Sequence, residues 1–106
     1  MTLQELFQEL KSIGYPVSYG CFAVPVSPPY LIYQFAYSND FMADGVNYLE
    51  VSNFQVELYT EHKDLAAEKK VQDKLKELKL PYMKIETYLE SEKLYQVIYE
   101  IQLIGG

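Results

Sequence analysis

The chain predicts an α+β fold, a two-layer sandwich in which two helices cover one face of a mainly antiparallel sheet of about five strands. Three observations in its 106 residues support this: a capped amphipathic run at the start, a charged helical run near 63–79, and five strand-like runs separated by short turns. The resulting order is α-β-β-β-α-β-β.

Thr2 followed by Glu5 forms a capping box, and Leu3, Leu6, Phe7, Leu10 and Ile13 then recur at helical spacing until Gly14. A helix over about 2–13 follows. Pro16 cannot continue it, and the β-branched and aromatic residues after it suggest a strand near 17–24. Pro25, Pro28 and Pro29 mark a connection or a sheet edge, because proline donates nothing to a ladder. Their Pro-x-x-Pro spacing, which resembles an SH3 ligand, is accounted for in the same way.

Residues 30–37 are apolar at nearly every position, which predicts a strand covered on both faces. Two helices cover one face, so Leu31, Tyr33, Phe35 and Tyr37, or the alternate set, are left for a partner chain. Residues 38–47 gather turn formers around Phe41 and Met42, and a mobile loop is expected there. Across 48–59, Phe54, Val56 and Leu58 alternate with Gln55, Glu57 and Tyr59, the period of a strand with one wet face. The alternation slips at 50–53, where a bulge would restore it.

The second helix, about 63–79, has Leu65, Ala67, Val71, Leu75 and Leu78 as its inner stripe and Thr60 or Asp64 as its cap. Pro81 ends any helix. Runs at 83–89 and 95–103 alternate as strands around the polar turn Glu90-Ser91-Glu92-Lys93. All 106 residues fit one domain.

Composition bounds the function. Nine basic against fifteen acidic residues give a formal charge of −6, which disfavours phosphate-driven nucleic-acid binding. No run approaches the roughly 18 apolar residues that span a bilayer. The first residues lack a basic start and an apolar centre, so the chain is expected to stay in the cytoplasm where it is made. Eleven tyrosines stand beside one histidine and one cysteine, a chain rich in contact surface and poor in nucleophiles and metal ligands.

Lone Cys21 is expected as a small buried hydrophobe, some forty positions from His62. Asp40, Asp44, Glu61, His62 and Asp64 could be imagined around a divalent cation, but their spacing matches no metal motif. Glu86 and Glu100 lie on neighbouring strands, and alternation places them on a solvent face instead of in an acid/base pair. No catalytic residue, cofactor site or metal site is assigned.

Four pieces read in order carry a family resemblance. They are Gly20-Cys21-Phe22 leading to Pro28-Pro29-Tyr30-Leu31-Ile32-Tyr33; Ala43-Asp44-Gly45; Leu58-Tyr59-Thr60-Glu61-His62-Lys63-Asp64 with Glu68; and residues 88–100. Over roughly 15–104 the chain resembles small head-tail connection proteins of long-tailed phages and prophages of Gram-positive bacteria, of the tail completion or tail terminator type. The resemblance implies a non-enzymatic structural protein that forms a ring homo-oligomer, a hexamer, at the head-proximal end of the tail tube. Its partners would be itself, the tail tube protein and the head connector protein, with DNA only as passing cargo. It would be found in the host cytoplasm during assembly and then in the virion tail. Related alternatives are a stopper-type connector or another minor tail component; a monomeric ligand-binding or regulatory module is a separate one. From the surplus of apolar surface, Tyr33, Phe35 and Tyr37 are expected at subunit contacts, and Phe41 and Met42 against the tube or connector.

Overall fold

A computed structural model describes residues 1–104, with the side chains of Phe41, Ala43 and Tyr48 outside the description. Its elements are α1 (Leu3–Lys11), β1 (Val17–Tyr19), β2 (Tyr30–Ser38), β3 (Phe41–Ala43), β4 (Val46–Leu49), β5 (Val51–Thr60), α2 (Leu65–Glu77), β6 (Met83–Leu89) and β7 (Leu94–Ile104). Five strands form one sheet in the order β1-β2-β5-β7-β6, antiparallel except for the parallel β1–β2 pair. The expected α+β order is therefore present in the main sheet. Strands β3 and β4 form a separate hairpin inserted between β2 and β5.

Local chemistry sets the helix boundaries. The Thr2 hydroxyl accepts from the Glu5 backbone N–H at 3.1 Å, and the Glu5 carboxylate accepts from the Thr2 N–H at 3.0 Å, closing the capping box. Asp64 caps α2 by accepting from the Ala67 N–H at 3.0 Å. At the other end Lys79 takes a positive φ of 58°, so that Leu80 N–H reaches Leu75 O and Lys79 N–H reaches Lys76 O, a Schellman closure.

The core lies between the helices and one sheet face. Leu6 and Leu10 of α1 and Ala67, Val71 and Leu75 of α2 pack on the residues of β2, β5 and β7 that point the same way. Registers Leu31↔Leu58, Val56↔Tyr99 and Phe54↔Ile101 align that face across three strands. Leu65 was expected in the inner stripe, but at the first turn of α2 it points outward and is 70% exposed.

Several strand expectations are corrected. β1 stops at Tyr19 instead of Val24, because Gly20 turns with a φ of 73° and the chain leaves the sheet. Cys21 beyond that turn is consequently exposed, not buried. The bulge expected at 50–53 is absent from β5, which pairs with β7 without a shift from Val51 to Thr60 and so leaves Val51 facing away from Phe54 and Val56. Instead Glu50 separates β4 from β5, and the bulge sits on the partner strand at Ala36, between Phe35↔Phe54 and Tyr37↔Asn53.

The face of β5 expected to be wet is largely dry. Glu57 and Tyr59 lie on it yet are 2% and 9% exposed. The connection between β1 and β2 runs over this face: residues 21–26 share a hollow with Tyr30 and Ile32. Phe22 meets Tyr30 edge-on at 5.3 Å, and Tyr30 stacks on Tyr59 at 4.9 Å.

Candidate interaction surface

Segment 38–47, expected as a loop, carries a hairpin arm. Asp44 and Gly45 both have positive φ, 53° and 77°, the geometry of the two-residue turn that Asp-Gly favours between antiparallel strands. Side-chain amides and a carboxylate lock the neck of the arm. Asp40 accepts from the Val51 backbone N–H at 2.9 Å and from Asn47 Nδ2 at 2.6 Å, while Asn53 Nδ2 donates to Asn39 Oδ1 at 2.7 Å. The arm continues the β2–β5 ladder past the end of the sheet, and the chain measures 49 × 29 × 25 Å. Its radius of gyration, 14.7 Å, exceeds the about 13 Å of a compact chain this long.

The arm exposes apolar side chains. Met42 is 67% exposed, Val46 61% and Leu49 41%. Met42 pairs with Asn47 and Ala43 with Val46, so Met42 and Val46 project from opposite faces of the hairpin. Each face thus offers apolar surface. Apolar side chains left in water add nothing to folding, so burying these against another surface would be favourable.

The tyrosine strand divides differently from the sequence expectation. Tyr33 is 7% exposed and packs in the core against Phe7, so it offers no surface to a neighbour. Phe35 and Tyr37 are 47% and 50% exposed, but the Ala36 bulge sends them to opposite faces of the sheet. Phe35 stays on the helix side, edge-on to Phe54; Tyr37 lies on the other side and donates its hydroxyl to Glu100 at 2.9 Å. Met42 is exposed as expected, and the Phe41 side chain lies outside the described residues.

A second feature lies at the same end of the sheet as the arm. β7 pairs with β5 as far as Ile104, whereas its pairing with β6 stops at Met83↔Glu100. Pro81 helps end that ladder, having no N–H to give, and the chain turns away toward α2. A groove of about 540 Å³ opens between residues 79–83 and 100–104, with Met1 and Asn53 completing its wall. Its lining is mostly apolar. Among the described residues, no backbone hydrogen bond outside the ladders reaches 101–104.

No protein-family model and no curated protein matches the chain.

The titratable side chains are arranged as structural braces. Buried Glu68, 3% exposed, accepts from Lys63 and Lys84, each at 2.7 Å, and Lys63 also pairs with Glu86. Burial pushes the Glu68 carboxyl up, and the two ammonium donors outweigh this and hold it below the ordinary value. Glu57 accepts from Gln34 Nε2 and from the Tyr59 hydroxyl, both at 2.7 Å. Burial, and then the bond to Glu57, raises the Tyr59 phenol well above its usual value.

Glu86 and Glu100 do not meet. Their cross-strand partners are Val97 and Gln55, which point to opposite faces of the sheet. His62 is exposed just before α2. Among the described residues no three His, Cys, Asp or Glu side chains gather as metal ligands, and no helix is long and apolar enough to cross a membrane.

Proposed function

We propose that this chain is a structural protein of a phage or prophage tail, a terminator-type subunit whose ring ends the tail tube and joins it to the head connector. The observation that carries the reading is the locked hairpin arm with Met42, Val46 and Leu49 open to solvent. An arm fastened at its neck and apolar on both faces is suited to bury its tip against another protein. The resemblance over residues 15–104 suggests which proteins those are: further copies of this chain, the tail tube and the head connector. Net charge −6 suits a ring through which DNA passes without adhering.

Electron microscopy of tails assembled with and without the chain tests this. Tails of uncontrolled length, or tails that fail to join heads when it is missing, are the expected result. Normal length and normal attachment in its absence would overturn the reading.

A further inference from the structure

A closed ring of identical subunits needs two different surfaces on each copy, one fitting the other. Two exposed features of different shape are present on this chain, the arm and the groove beside β7. Strand β4 is four residues long, Val46–Leu49, and among the described residues its edge away from β3 has no partner strand. The stretch of β7 left without β6 is also four residues long, 101–104. Both are extended, and both have backbone groups that an added strand would satisfy.

Chemistry and placement agree with this pairing. Residues 79–83 and 101–104 give the groove an apolar lining, while exposed Lys79 stands at its rim. The arm brings apolar Val46 and Leu49 with exposed Asp44 at its tip. The charges are opposite where the two would meet, which favours this orientation over a reversed one. Arm and groove also lie at one end of the sheet, the arm on β2 and β5 and the groove beyond β7. A rotation about an axis running along the strands would therefore carry one copy's arm to the next copy's groove at the same height, the condition for closing a ring.

We propose that the occupant of the groove is the arm of a second copy of this chain, β4 lying along residues 101–104 with Asp44 near Lys79. Met42, on the opposite face of the arm, then remains free for the tube or connector. This rests on the ring reading above and names its subunit contact.

The test uses the full chain with Cys21→Ser as background. A variant carrying Val46→Cys and Gln102→Cys is oxidised mildly and run without reductant. A covalent ladder of dimer and higher species is expected, and neither single-cysteine variant should pass beyond dimer. In sedimentation velocity, Lys79→Glu and Asp44→Lys should each weaken self-association about tenfold, and the two together in one chain should restore it. No ladder, self-association indifferent to both charge reversals, or a chain that stays monomeric at about 1 mM would each overturn the proposal. The outcomes separate from those of the tail experiment: a missing ladder with defective tails rejects this contact alone, and a ladder with normal tails rejects the tail function alone.

Discussion

Tyr59 donates its hydroxyl to Glu57 Oε1 at 2.7 Å, from two positions further along the same strand, on the sheet face away from the helices. Gln96 Nε2 in turn donates to the Tyr59 oxygen at 2.7 Å, and Gln34 Nε2 to the other carboxylate oxygen. Four polar side chains thus satisfy one another beneath the β1–β2 connection.

Removing the central acceptor should be costly. Glu57→Ala leaves the Gln34 amide and the Tyr59 hydroxyl without their acceptor in a mostly dry site, a loss of about 2–3 kcal/mol. Urea unfolding measures it. Tyr59→Phe in the same chain should cost less than it does alone, because its hydroxyl has already lost that acceptor. Strictly additive losses would show that the pair does not act as a unit.

Glu68 joins the start of α2 to β6 through Lys63 and Lys84, and this makes part of the stability depend on acid. Its folded carboxyl lies below the ordinary value, so the contribution is complete above the unfolded value near 4.3 and is lost as pH falls through the folded one. Glu68→Gln should cost about 1–2 kcal/mol at pH 7, both lysines being partly exposed. The gap between parent and variant should hold down to about pH 5 and narrow below about pH 4. A gap that widens toward acid would contradict the assignment.

Within α2, two leucines expected in one inner stripe should behave differently, because Leu65 lies more than about 100° round the helix from the centre of the stripe formed by Ala67, Val71, Leu75 and Leu78. Leu75 is fully buried and Leu65 is 70% exposed. Leu75→Ala should cost about 2–5 kcal/mol through lost burial and the cavity left behind, whereas Leu65→Ala should stay within about 0.5 kcal/mol. Comparable losses would mean that Leu65 is covered by something in solution.

Features set by local pattern were legible in the sequence. The Thr2–Glu5 box, the Asp64 cap and the alternation of Phe54, Val56 and Leu58 each depend on residues within a turn or a strand of one another, and all are present in the fold. What escaped depends on distant segments. Glu57 reads as a solvent residue until Phe22 and Tyr30 are brought over its face from thirty positions away. Tyr37 shares the period of Leu31 and Tyr33 until the Ala36 bulge reverses it, and nothing local to 30–37 marks that bulge. The arm had a local signal, Asp44-Gly45 between apolar residues, that points to a hairpin as well as to a turn. The groove had none, because it is a gap between two strands of unequal reach.

The turn between β6 and β7 offers a stabilising substitution away from arm and groove. Lys93 holds a φ of 54° there, donating its N–H to Glu90 O at 3.3 Å. A side chain in that left-handed conformation costs roughly 1–2 kcal/mol, while glycine adopts it freely and adds back about 0.5–1 kcal/mol of entropy to the unfolded chain. Lys93→Gly should therefore stabilise by about 0.5 kcal/mol, raising Tm by a few degrees. Lys93→Val, β-branched at the same φ, should lower Tm instead. Equal and unchanged melting of both variants in calorimetry would show that the turn adopts another conformation in solution.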